Sequence, residues 1–181
     1  VSPRLIKAVL LDSGDTLVDE ATEIRDADGY VIEEALIPGA LAMVQQLAAA
    51  GYRMALVADG LKRSFDTILG GHGIRQYLEA EIISEVLGCE KPDQRMFEAA
   101  LAALGLRAGD AAQVVMIGNN LSRDINGANR AGMISIWLNW SPRREKFARE
   151  PDEMPDYTVK RPDDVPRLLA FIEAGLAASG Y

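Results

Sequence analysis

Leu5-Ile6-Lys7-Ala8-Val9-Leu10-Leu11-Asp12-Ser13-Gly14-Asp15-Thr16-Leu17 is the stretch from which the fold reads. A short apolar run, broken only by Lys7, ends in a polar loop that contains a glycine. A run of this length, apolar on both of its alternating faces, is what a strand buried on both sides requires. The pattern recurs at Arg53 to Ala58, stopped by Asp59-Gly60, and at Gln113 to Ile117, stopped by Gly118-Asn119-Asn120. Ile134 to Leu138 is a fourth strong strand, with a short one at Ile82-Ile83 and an edge strand at Tyr157-Thr158-Val159.

Helical stripes separate these runs. Pro38-Gly39 opens one, with Leu41, Val44, Leu47 and Ala48 on its apolar face, and Gly51 ends it. A second runs from about Leu61 to Leu69. Met96, Phe97, Ala100, Leu101 and Leu104 line a third, and another spans about Ser122 to Ala131. Val165, Leu168, Leu169, Ile172 and Leu176 stripe the last. Strands alternating with helices predict an α/β protein, a three-layer Rossmann-like parallel sheet with helices on both faces. The whole chain, 1–181, reads as one domain. Ligands in such sheets bind beyond the carboxyl ends of the strands. The candidates there are Asp12, Asp15 and Thr16, then Asp59, then Asn119, Asn120 and Asp124.

Thr22 to Leu36 alternates loosely around Asp28-Gly29, a hairpin turn signal. A small β-flap is expected at about 19–37.

Composition narrows the function. The chain is 49% hydrophobic and 25% charged, the profile of a globular protein. Its formal net charge of −8 opposes a phosphate backbone, so no nucleic-acid partner is expected. The one basic cluster, Arg143, Arg144 and Lys146, reads as a solvated loop or as an anion-attracting rim. No apolar run reaches membrane-helix length and no secretory leader is visible, so no membrane contact is expected. Cys89, the single cysteine, excludes an internal disulfide and a cysteine zinc site; a cytoplasmic setting fits. An assembly of identical chains stays open.

Four stretches, in order, resemble the haloacid dehalogenase-like hydrolase superfamily. Val9 to Leu17 is similar to its apolar strand followed by Asp-x-Asp-x-Thr. Met54 to Gly60 is similar to its second strand, which ends in Thr or Ser. Gly88-Cys89-Glu90-Lys91-Pro92-Asp93 is similar to its Lys-Pro-Asp. Val115 to Asn120, then Asp124, Gly127-Ala128 and Ala131-Gly132-Met133, is similar to its last motif. The resemblance spans roughly Leu5 to Leu169. It implies that Asp12 is a nucleophile that forms an aspartyl phosphate, as an ionised carboxylate can. It implies that Lys91 balances charge on Asp12 and the phosphoryl group. It implies Mg2+ held by Asp12, the Gly14 carbonyl and Asp124, with Asn119 beside them. It implies a phosphorylated substrate, bound in part at Ala58, Asp59 and Gly60. The short flap resembles that of the type without a cap domain.

The motifs depart from the family at three positions. Gly14 stands where a second Asp protonates the leaving group and activates water. Asp15 lies one residue further on, and either takes that acid–base role or caps a turn. Ala58 replaces the hydroxyl that donates to phosphate, leaving the backbone amides of Asp59 and Gly60; Asp59 itself is expected to cap the next helix or to serve as a new catalytic group. Asn119 replaces an Asp, keeping an oxygen without its charge; Asn120 and Ser122 either support ligands or cap a helix. A leaving group that needs no proton would tolerate Gly14 best.

Three functions follow: a Mg2+-dependent phosphatase, favoured by Asp12, Lys91 and Asp124 together; a binding or regulatory protein with weakened chemistry; and a metal-independent dehalogenase-like hydrolase. His72, the only histidine, is expected to be a solvated loop residue, Trp137 and Trp140 to be core or interface, and Cys89 to be inert.

Overall fold

The computed structural model describes residues 4–178. A six-stranded parallel sheet runs through the molecule. Its strands are β1 (Ala8–Leu11), β4 (Met54–Ala58), β5 (Ala80–Ile83), β6 (Val114–Gly118), β7 (Ile134–Leu138) and β8 (Tyr157–Val159). They lie in the order β5-β4-β1-β6-β7-β8. The register pairs Leu11 with Leu56 on one side and with Ile117 on the other. The chain travels outward from β1 to β5, then returns to build the other half. β1 is therefore the point where strand order reverses, and a crevice opens there beyond the strand ends.

Alternate residues of β1 serve two cores. Val9 and Leu11 face α1 (Ala40–Ala49), α2 (Lys62–Gly71) and α6 (Val165–Ala178), through Val44, Leu47, Leu69, Leu169 and Ile172. Ala8 and Leu10 face α4 (Gln94–Ala103) and α5 (Asn126–Arg130), through Met96, Phe97, Ala100 and Ala128. Each fully buried large aliphatic side chain contributes about 1.5–3 kcal/mol. This is the expected three-layer arrangement. Gly127 lets α5 approach α4, since a Cβ there would overlap the ring of Phe97.

Several boundaries differ from expectation. The first strand begins at Ala8, not Leu5, because pairing with β6 starts there. The buried face of α1 is Ala40, Met43, Val44 and Leu47, with Leu41 and Ala48 at its margin. The helix expected from about Ser122 is in two parts, a π-turn at Leu121–Ile125 and then α5. A short α3 (Ser84–Leu87) follows β5.

Between β1 and α1 lies the flap, a hairpin of β2 (Ile24–Arg25) and β3 (Val31–Glu33). The Asp26 carboxylate closes its turn by accepting from Asp28 N and Tyr30 N, and Gly29 takes the left-handed conformation, φ 88°. The flap is pinned to α2. Val31 N donates to Ser64 Oγ at 3.0 Å, and His72 Nε2 lies 2.6 Å from the Glu34 carbonyl. His72 is thus a tether of the flap, not the solvated loop residue expected. Among the described residues, no helix is long and apolar enough to cross a membrane.

Candidate active site

Three strand ends supply the site. β1 carries Asp12, β4 carries Asp59 and β6 carries Asn119. Lys91, from the loop before α4, reaches back beneath them. Its side chain is 2% exposed, and its ammonium lies 2.7 Å from Asp12 Oδ1, 2.7 Å from the Val57 carbonyl and 2.7 Å from Asp124 Oδ1. An ammonium has three protons to donate, and here it faces three acceptors. Burial pulls the lysine pKa down, but Asp12, Asp124 and Asp59 outweigh it and hold it above its ordinary value. Lys91 is charged, and its charge is spent between two carboxylates.

Asp124 projects from the π-turn, where the local widening of the helix aims it at the crevice. Its Oδ2 accepts from Asn120 N at 2.9 Å. A Cβ at Gly118 would overlap the Asp124 carboxyl, so the glycine at that strand end is what admits it. Burial first, then the nearby Asp12, push Asp124 up to about 6, against the pull of Lys91. The Asn120 side chain accepts from Ser122 N and Arg123 N; it caps the turn. Thr16 Oγ1 donates to Asp12 Oδ2 at 3.0 Å, and Asn119 Nδ2 approaches the same oxygen at 3.2 Å.

Asn119 also donates to the Gly14 carbonyl. Its amide nitrogen, not its oxygen, therefore faces the two groups expected to hold a cation. The Asn119 Oδ1 is buried and accepts no hydrogen bond; Asp124 Oδ1, though ion-paired to Lys91, receives no aligned one either. The Asn119 oxygen is a buried acceptor beside Asp12 that a hard cation would satisfy, and Asp124 is a second carboxylate next to it. The amide would have to turn over for Asn119 to join them. Among the described residues no group of three or more His, Cys, Asp or Glu forms a metal cage. Mg2+ does not need one, since it binds through one or two carboxylates with waters and substrate phosphate. The donor set of Asp12, the Gly14 carbonyl and Asp124 fits that ion.

Asp59 neither caps α2 nor reaches into the site as a free acid. The cap position is Leu61, which makes no side-chain cap bond. Asp59 Oδ1 accepts from Lys91 N at 3.0 Å, and Oδ2 from Arg123 at 3.1 Å. It positions the backbone of Lys91 and the guanidinium of Arg123. Ala58 is packed in the core, and Gly60 N is bonded to Ser84 Oγ at 2.9 Å. Neither is available to a phosphate in the way expected.

Asp15 is the larger correction. Its backbone is left-handed, φ 52°, and its side chain is fully buried. One carboxylate oxygen pairs with Arg144 at 2.9 Å and the other with Arg143. It turns away from Asp12 to anchor the loop after β7. Arg143 is solvent-exposed, as expected, and Arg144 half-buried at the edge of the site, but neither is an unpaired cation. They clamp Asp15, Asp19 and Glu20. Trp137 is core, its indole donating to the Asn119 carbonyl at 2.9 Å, and Trp140 is partly buried against the main core.

Sequence reading missed Glu20. A Cβ at Gly14 would overlap Glu20 Oε1, lying 2.7 Å from its Cδ and 3.0 Å from its Cγ. The Glu20 carboxyl therefore fills the space a side chain at position 14 would take. Burial, against Arg144, raises its pKa, with Asp15 and Asp12 adding to the rise. Nothing in spacing marks it, because it comes from a separate short turn, Glu20–Thr22. A cavity of about 200 Å3 opens over Asp12 and Lys91, walled also by Glu20, Arg123 and Arg144. Three cations, Lys91, Arg123 and Arg144, stand there among four carboxylates, Asp12, Glu20, Asp59 and Asp124, in a space of phosphate size.

Comparison with known proteins agrees with this geometry. The model of the haloacid dehalogenase-like hydrolase family matches residues 6–132. The chain belongs to that family. It is 33% identical over 136 residues to the glyceraldehyde 3-phosphate phosphatase of Methanopyrus kandleri, covering 74% of this chain and 57% of that protein. It is 32% identical over 124 residues to the phosphoserine phosphatase of Thermus thermophilus, covering 68% and 47%. The chain thus spans about half the length of the curated relatives it matches. In structure it is similar to an uncharacterized protein from Listeria monocytogenes serotype 4b, with a TM-score of 0.76 at 26% identity, over 93% of this chain and 99% of that one.

Proposed function

We propose that the chain is a Mg2+-dependent phosphoric monoester hydrolase in which Asp12 is the nucleophile. The observation that carries this is the Lys91 ammonium held 2.7 Å from both Asp12 and Asp124 at the floor of the cavity over Asp12. Phosphoryl transfer needs positioning and charge neutralisation more than covalent ingenuity, and these residues provide both. Relatives that share up to about a third of their residues with this chain carry phosphatase names.

Asp12 Oδ attacks phosphorus in line, the bond to the leaving oxygen breaks, and an aspartyl phosphate forms. Thr16 and Asn119 orient Asp12 by bonding its Oδ2. Lys91 and Arg123 offset charge on the phosphoryl oxygens. Asp12, the Gly14 carbonyl and Asp124 would hold Mg2+, which when bound lowers the repulsion between carboxylate and phosphate. The carboxyl over Gly14 is supplied by Glu20, which stands where it can give a proton to the leaving oxygen and later take one from water. Water then attacks the aspartyl phosphate and releases phosphate and free Asp12.

The test is hydrolysis of an aryl phosphate and an acyl phosphate, with Mg2+ and with chelator, by the protein and by Asp12→Asn. Turnover that disappears in the variant and in chelator is expected. A folded protein inert toward both esters would sink the proposal and favour a binding role.

A further inference from the structure

A second cavity, of about 110 Å3, lies between the flap and α2. It shares Gly14, Glu20 and Asp59 with the cavity over Asp12, so the two adjoin at those residues. Val31, Leu61 and Phe65 form its apolar wall. Its charged wall is already paired. Glu20 is bound to Arg144, Asp59 to Arg123, and Glu23 to Arg25, whose guanidinium also donates to the Gly29 carbonyl.

Glu34 differs from the rest. It lines this cavity, is 6% exposed and, among the described residues, makes no ion pair and has no hydrogen-bond partner for its Oε1. Burial, followed by Glu23, Glu20 and Asp15, pushes it up to about 8, so at neutral pH it is an uncharged acid able both to donate and to accept. A buried polar group without a partner costs stability and calls for a reason. Its position, in the wall of a cavity that adjoins the one over the nucleophile, offers one.

We propose, on the basis of the phosphatase reading, that this cavity receives the leaving group of the ester, that the leaving group is compact, uncharged and hydroxyl-bearing, and that Glu34 reads its hydroxyl. The cavity is well below the ~300 Å3 at which pockets begin to hold drug-sized ligands, so a nucleoside is too large. An anionic leaving group would lie against Glu20, Glu23 and Asp59 with no unpaired cation to meet it. An ammonium would find those carboxylates already matched to arginines and Glu34 uncharged. A hydroxyl needs only a donor and an acceptor, and Glu34 has one of each. A site built to hydrogen-bond a hydroxyl rejects an analogue without it far more strongly than an apolar pocket rejects one methylene.

The experiment measures kcat/KM at pH 7 for four esters: glycerol phosphate, a phosphoglycerate, ethanolamine phosphate and phenyl phosphate. The glycerol ester is expected to exceed the glycerate and ethanolamine esters by at least about tenfold, the scale of one lost hydrogen bond. The ratio of glycerol to phenyl ester should fall about tenfold in Glu34→Leu and stay within about threefold in Glu34→Gln, which keeps a donor and an acceptor. Preference for the charged esters, or a ratio unmoved by Glu34→Leu, overturns the assignment. The four-ester comparison on the unaltered protein stands even if a variant fails to fold. Absence of Asp12-dependent turnover of phenyl phosphate would sink the phosphatase reading itself, and this inference with it.

Discussion

Replacing Glu34 by Gln isolates a single titration in the folding equilibrium. Glu34 rises from an ordinary 4.5 to about 8 because it is buried and faces other carboxylates. Below pH 4.5 the folded and unfolded chains both hold its proton, and the group is neutral in its effect. Between 4.5 and about 8 the unfolded chain releases the proton while the folded chain keeps it. The native state then binds more protons, so stability falls as pH rises, and it levels off above about 8. At about 1.36 kcal/mol per pH unit, the interval amounts to about 5 kcal/mol. Gln has the same shape and nothing to titrate. Glu34→Gln is therefore expected to match the parent near pH 4.5 and to exceed it by up to about 5 kcal/mol near pH 8.5, or about 10–20 °C in Tm for a chain of this size. Urea or thermal unfolding of both proteins across that range, in chelator, measures the difference. Parallel profiles, separated by a constant amount at every pH, would refute the reasoning and place Glu34 ionised and solvated in the native protein.

Lys91→Met leaves Asp12 and Asp124 facing each other without a cation; a loss of about 3–5 kcal/mol in denaturant unfolding is expected, and Lys91→Met with Asp12→Asn should recover part of it. Arg143→Ala with Arg144→Ala strands the fully buried Asp15 carboxylate, with a similar loss of about 3–5 kcal/mol, which Asp15→Asn in the same background should reduce. Gly14→Asp alone drives a side chain into Glu20 and should destabilise the flap, seen as faster proteolysis there; adding Glu20→Ala should restore both protection and activity. Glu20→Gln should slow an alkyl phosphate by about 10²–10⁴ and an acyl phosphate much less, because only the former needs a proton on its leaving group.

The sheet was legible because each inner strand is a short, largely apolar run ended by Gly, Asp or Asn, a pattern fixed by burial. Leu11 and Ile117 sit under the site because their neighbours in sequence, Asp12 and Asn119, are the first polar residues the buried strands permit. Asp124 stood among the strand-end candidates after β6, whereas Lys91 came from the resemblance alone, since it lies in a loop away from any strand end. What sequence could not give was direction. Asp15 and Asp59 are the right residue type at a strand end, yet their carboxylates turn to arginines that lie far along the chain. Glu20 and Glu34 carry no local signature, because Glu20 reaches Gly14 from a separate turn and the burial of Glu34 is created by the flap folding onto α2.

The departures around the first motif form one coupled arrangement. With Gly at position 14, the loop has room for a carboxyl from elsewhere, and Glu20 takes it. With the acid moved one residue on, Asp15 adopts a left-handed backbone that costs an L-residue about 1–2 kcal/mol. Its two arginine pairs offset that cost and fix the loop after β7 against the flap. Arg144 then bridges Asp15 and Glu20, so the carboxylate that follows Gly14 in sequence and the carboxyl that lies over Gly14 share one guanidinium. If these substitutions were independent losses on the way to an inert fold, nothing would keep a carboxyl over Gly14. The shared guanidinium is what such decay would not produce, and it favours a relocated acid over an abandoned site.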